Sequence, residues 1–167
     1  MATSNRTCFL FVLIMQTGFI RMNKFDTNID LEAELWNLPQ LHGHVKVREN
    51  AQMFWWFFNT TSDITSTTRK PLILWIQGGP GRASSGVGNF AEIGAFDQYL
   101  KERTENWLQD ANVLFIDSPV GVGFSYVTGR SSLADSNEMI VSDLLVLIKT
   151  LLTDQLRDFQ VSYRLFL

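Results

Sequence analysis

Cysteine is almost missing from this 167-residue chain. The single Cys8 excludes an intramolecular disulfide, and with only His42 and His44 beside it no Cys/His zinc site can be assembled. Charge of one sign is also lacking. The 14 Lys and Arg face 17 Asp and Glu without a long run of either, so the basic stripe that nucleic-acid binding requires is absent. No apolar run is long enough for a comfortable membrane span. There is no G-x-x-x-x-G-K, and the G-x-G at 121–123 has Tyr126 where a third glycine would stand, so a phosphate-binding loop is disfavoured. No motif calls for a metal or another cofactor.

Aromatic and apolar residues are what the chain has in quantity. It is 46% hydrophobic and 13% aromatic, which excludes wholesale disorder and implies a larger core than 167 residues readily close.

The N-terminus places Arg6 before the apolar run Cys8 to Met15, the layout of a secretory signal. Residues 1–20 are read as that signal, against a buried N-terminal element or a retained anchor, and this puts the protein in the secretory pathway, lysosomal or extracellular. Residues 21–42 form a polar lead-in. Asn59-Thr60-Thr61 fits the N-glycosylation pattern, or is a Thr-rich loop that happens to match it.

Val45-Lys46-Val47 alternates as a short strand, and Met53 to Phe58 (MFWWFF) suits a strand covered on both faces. With the turn at Asn50 these make an antiparallel hairpin. Pro71 to Ile76 is the next strand, residues 84–95 a short helix, and Ala111 to Asp117 another buried strand. Residues 135–159 repeat apolar positions at helical spacing, with Asp135 as N-cap and Glu138 completing a capping box. Val141 and Leu145 widen the apolar face, so heavy cover is expected. Buried strands alternating with helices predict an α/β sheet, mostly parallel after the opening hairpin.

Gln77-Gly78-Gly79-Pro80-Gly81 follows a buried strand. Glycines there let the backbone approach a ligand and aim N–H groups at an anion or an oxyanion, or they simply make a tight turn.

At this point the residues resemble a known family. Leu74 to Gly81 (LWIQGGPG) is similar to the LWLNGGPG or LWLQGGPG stretch of serine carboxypeptidases. Asn89 to Gly94 resembles their F-x-E-x-G-P, and Asn106 to Tyr126 resembles their W-x-x-x-A-N-x-L-F-x-D-x-P-V-G-x-G-F-S-Y. Gly43-His44-Val45 and Met53 to Phe57 match their opening hairpin, in the manner of the retinoid-inducible type. Prolyl iminopeptidases share a GGPG loop but lack the pattern from Asp117 to Tyr126. The resemblance spans residues 43–160, leaving 161–167 as a divergent tail.

The resemblance implies the N-terminal part of an α/β-hydrolase fold, truncated before the nucleophile strand, and a peptide C-terminus as partner. It implies that the Gly79 N–H is an oxyanion-hole donor. It also implies that Gln77, the Gly78 N–H and Glu92 hold the substrate's terminal carboxylate, with Glu92 keeping a proton under acidic conditions. Gln77 could instead cap the loop, Glu92 could be a surface charge, and Trp75 reads as core. Phe124 and Tyr126 are expected beneath the site.

Arg82-Ala83-Ser84 departs from the family's Cys-Ser-Ser or Gly-Ser-Ser. Arg82 brings a cation near an anion site, and Ala83 removes a supporting hydroxyl. No G-x-S-x-G occurs, and His42 and His44 belong to the hairpin, so the Ser/Asp/His triad is not found and no catalytic residue is assigned. The expectation is a chain inactive alone. The alternatives are a non-catalytic partner or decoy of a full-length relative, or an incomplete gene model or splice fragment. Without a nucleophile strand to pair with it, Leu72 to Ile76 would be an unpaired apolar edge prone to aggregation.

Overall fold

The computed structural model describes residues 35, 37–62, 70–79 and 81–157. The expected signal at 1–20, Pro80 of the glycine loop and the tail at 161–167 lie outside the described residues.

Five strands form one sheet: β1 (Gln40–Arg48), β2 (Ala51–Phe58), β3 (Leu72–Ile76), β4 (Asn112–Ile116) and the short β5 (Tyr126–Val127). The order is β1-β2-β4-β3, with β5 pairing the start of β2. Only β3 and β4 run parallel; β2 is antiparallel to β1, β4 and β5. The expectation of a mostly parallel sheet is therefore corrected for the described strands. The hairpin's second strand sits at the centre, and every strand it touches runs against it.

The polar lead-in also ends earlier than expected. β1 begins directly after Pro39, inside the 21–42 segment, because Gln40 pairs with Phe58 and its side chain accepts from Trp56 Nε1 at 2.7 Å. Along β1, Val45 and Val47 are buried while His42, His44 and Lys46 face outward. Gly43 lies against Trp55, whose ring sits 3.5 Å from where a Cβ would be, an ordinary contact distance.

β2 is buried from Met53 to Phe58, as its unbroken apolar run predicts. Its two faces have different cover. Met53, Trp55 and Phe57 join Val45, Val47, Leu114 and Ile116 in a cluster closed by Leu147 and Leu151 of α1 (Asn137–Thr153). Phe54, Trp56 and Phe58 face the other way, against Phe124, Phe90 and Phe115 with ring centroids 5.0 to 6.0 Å apart. Each such ring removed from water contributes about 1.5–3 kcal/mol, which makes this strand the anchor of both layers.

The short helix expected at 84–95 is a π-helical segment, Ser84–Ile93, on the Phe90 side. α1 starts later than expected. Ser136, not Asp135, is its N-cap, with the hydroxyl accepting from Met139 N at 3.3 Å. Arg48 fixes α1 to the end of β1: its Nε donates to buried Asp143 Oδ1 and its Nη2 to Ser132 O, both at 2.8 Å. Heavy cover of α1 is not found. Leu147 and Leu151 are buried, but Val141, Leu145 and Val146 remain exposed among the described residues. No described helix is long and apolar enough to cross a membrane.

Candidate functional site

β3 and β4 pair in parallel register, Trp75 opposite Phe115 and Ile76 opposite Ile116, so both strands end together. The glycine loop leaves β3 there, and Asp117 leaves β4. Long-range hydrogen bonds join the two ends. Gln77 N donates to Ser84 Oγ at 2.9 Å, and that hydroxyl donates to Ile116 O at 2.5 Å. Ser85 N donates to Asp117 Oδ1 at 2.9 Å, and Ser85 Oγ donates to Oδ2 at 2.7 Å. Phe124 N donates to the same Oδ2 at 3.0 Å. The Asp117 main chain is held as well, its N–H donating to Phe54 O and its carbonyl accepting from Ser125 Oγ.

Asp117 is thus a fully buried hub tying the π-helix, β4 and the 119–125 loop, which is entered through a cis Ser118–Pro119 bond. Burial pushes its carboxyl above the ordinary carboxylate range, against the downward pull of the hydrogen bonds from Phe124, Ser85 and Ser84. The hydroxyl lost at Ala83 does not leave the loop unsupported. Ala83 is packed and buried, Ser84 Oγ accepts from Gln77 N, and Ser85 is bonded to Asp117.

Gln77 is fixed on three sides. Besides its bonded N–H, its Oε1 accepts from Trp75 Nε1 at 2.9 Å and its Nε2 donates to Glu92 Oε1 at 3.0 Å. An indole N–H can only donate, so the orientation of the amide is determined and one hydrogen on Nε2 remains for a ligand. Gly78 and Gly79 are exposed, and no other described residue accepts from their N–H groups. A Cβ on Gly78 would meet nothing within 4 Å, whereas one on Gly79 would stand 3.4 Å from Gly81 N and 3.5 Å from Arg82 N. Gly81, at φ 100°, turns the chain in a region open to glycine. The loop thus presents exposed glycine amides next to the oriented Gln77 amide and the Glu92 carboxyl group.

The structure brings Gln77, Gly78, Gly79 and Glu92 together. Asn59 stands apart and half-buried at the end of β2, its N–H donating to Pro39 O. Two expectations are corrected. Trp75 is only partly buried and positions Gln77, with its ring edge-on to Trp107 at 5.4 Å. Tyr126 is half exposed on β5 and packs against His44 at 5.4 Å; it does not lie beneath the loop. His44 Nε2 donates to Phe124 O at 2.9 Å from the outer face of the hairpin. The roles of Ser85 and Asp117 escape sequence reasoning because their contact spans 32 residues; the only local signal is an acidic residue ending an apolar strand.

Gly88 sets the position of Trp75. A Cβ there would stand 2.5 Å from the indole Cδ1 and Nε1. Gly88→Ala is expected to push the ring away, break its bond to Gln77 and cost about 1–3 kcal/mol. The Trp75 indole N–H resonance in nitrogen-15 spectra reads this directly. An unshifted resonance would contradict it.

Comparison with known proteins agrees with the motif reading. Residues 31–160 match the serine carboxypeptidase family. The chain is 47% identical over 117 residues to a retinoid-inducible serine carboxypeptidase of Homo sapiens, covering 70% of this chain and 25% of that protein. It is 39% identical over 164 residues to the Mus musculus protein of the same name, covering 96% and 35%. Against serine carboxypeptidase-like 51 of Arabidopsis thaliana it is 43% identical over 112 residues, 65% of this chain and 24% of that one. The chain therefore spans about a quarter to a third of the length of these relatives.

Proposed function

This chain belongs to the serine carboxypeptidase family, and from that premise we propose that it carries the part of a serine-type carboxypeptidase that grips a peptide's C-terminus. Gln77 Nε2 and the Gly78 N–H hold the terminal carboxylate, Glu92 orients Gln77, and the Gly79 N–H stabilises the oxyanion during acyl transfer. The observation carrying this is the Gln77–Glu92 bond at 3.0 Å, set beside loop amides that donate to no other described residue, at the end of a parallel strand. Calorimetric titration of the 167-residue chain with an N-blocked dipeptide and with its C-terminal amide tests it. The free acid is expected to bind about tenfold tighter, and Gln77→Ala to erase that difference. Equal binding of acid and amide would overturn the reading.

We further propose that the chain alone does not turn over peptides, because its sequence holds no G-x-S-x-G for a nucleophile. Ser84, Ser85 and Ser125 spend their hydroxyls on main-chain carbonyls and on Asp117. Hydrolysis of a blocked dipeptide at pH 5 by the purified chain, lost on Gly79→Ala, would refute this. The reading carries with it residues 1–20 as a secretory signal, a lysosomal or extracellular location and Asn59 as a glycan acceptor.

A second reading, association with a full-length relative, is favoured by exposed Val141, Leu145 and Val146 and by β3, which among the described strands pairs with β4 alone. Co-purification with such a relative is its expected result; a chain that remains apart from a co-expressed relative would remove it.

A further inference from the structure

Arg82 follows the glycine loop and is exposed. It forms no ion pair or side-chain hydrogen bond with another described residue. Its Cγ lies 3.7 Å from the point a Cβ on Gly79 would occupy, so the side chain begins beside the glycine loop. The carboxylate closest in role, Glu92, already accepts from Gln77. A cation beside the loop with no acidic partner among the described residues is available to a ligand.

We propose that Arg82 is a specificity-determining residue that selects peptides whose last residue carries a second, side-chain carboxylate. This rests on the reading of the loop as a carboxylate site. The terminal carboxylate finds its donors in Gln77 Nε2 and the loop amides. The guanidinium, carried outward beyond Cγ on a flexible stem, is left to engage a further anion through its planar fork of donors. A C-terminal Asp or Glu supplies that anion on the same residue, whereas a C-terminal Lys or Arg would be repelled.

The test is titration of the full 167-residue chain with N-blocked dipeptides ending in Glu, in Gln, and in Glu with an amidated C-terminus. The Glu peptide is expected to bind about three- to fivefold tighter than its Gln isostere at low salt, as for an exposed ion pair, with the ratio falling as salt is added. Arg82→Gln should bring that ratio to about one while keeping the preference for a free over an amidated C-terminus. An unchanged Glu-to-Gln ratio in Arg82→Gln would overturn the inference. Equal weakening of both free acids would also overturn it, assigning Arg82 to the terminal carboxylate. If the unaltered chain binds acid and amide alike, the carboxylate-site reading itself fails and the inference falls with it. Because Arg82 is exposed and packs no core, the variant should keep the thermal transition of the parent.

Discussion

Replacing Asp117 by alanine is expected to cost about 3 kcal/mol or more, read as a lowered urea midpoint in tryptophan fluorescence. The carboxylate is fully buried and accepts from Ser85 N, Ser85 Oγ and Phe124 N. Alanine strands those donors where no water reaches them, and each unpaired buried donor costs about 1–3 kcal/mol. Against a domain stability of about 5–15 kcal/mol this is a large fraction. The site should loosen as well, because Ser85 lies in the first turn of the π-helix carrying Glu92 and its neighbour Ser84 holds Gln77 N. A loss below about 1 kcal/mol would show that the hub matters little.

The same group predicts a pH dependence whose sign follows from its raised carboxyl. In the unfolded chain an Asp titrates near about 3.9. Between that value and the higher folded one, the folded state holds more proton than the unfolded state. The difference in bound protons is then negative, and stability falls as pH rises. The contribution is complete below the unfolded value and lost as pH climbs through the folded one. Denaturation midpoints measured across the acidic range should therefore favour the parent at the acid end relative to Asp117→Asn. A difference of the opposite slope would refute the assignment. Such a group does not penalise folding in an acidic compartment.

Gly123→Ala is the second large effect. Gly123 sits at φ 57°, where an L side chain costs about 1–2 kcal/mol by itself. Its added Cβ would stand 2.1 Å from Asp117 Oδ2 and 2.8 Å from the Ala83 Cβ. Neither neighbour can swing aside, since one is held by hydrogen bonds and the other has no side-chain torsion to turn. The expected loss is at least about 3 kcal/mol, or failure to give a cooperative transition. Gly78→Ala is the control: nothing lies within 4 Å of its Cβ, so stability should change by no more than about 0.5 kcal/mol. Equal melting of the two variants would show that the close packing of the 119–125 loop on Asp117 is unimportant.

Much of the architecture is legible in local pattern. The unbroken run MFWWFF announces a strand buried on both faces, and β2 is that strand. The apolar stretch ending at Asp117 and the helical repeat after residue 136 are equally direct. Pattern has limits. It gave Val141 and Leu145 as part of a wide apolar face, and both are exposed among the described residues, because periodicity does not report what lies against such a face. It placed the helix cap one residue early, since Asp135 and Ser136 are both competent and only the bond to Met139 decides between them.

The sequence by itself determined the family, the strand and helix segments, and the glycine loop that Gln77, Gly78 and Gly79 open. Those features reside in residue type and short-range spacing, which the chain carries wherever it is folded. Only the tertiary structure decided that Trp75 aims the Gln77 amide, that Ser84 and Ser85 hydrogen-bond Gln77, β4 and Asp117, and that Asp117 binds the 119–125 loop. The contact that ties the π-helix to the end of β4, Ser85 Oγ to Asp117 Oδ2, joins residues 32 apart in the chain. It exists because the parallel pairing of β3 and β4 brings both strand ends to one place, and a buried carboxylate there must find donors from whichever segments packing sets around it.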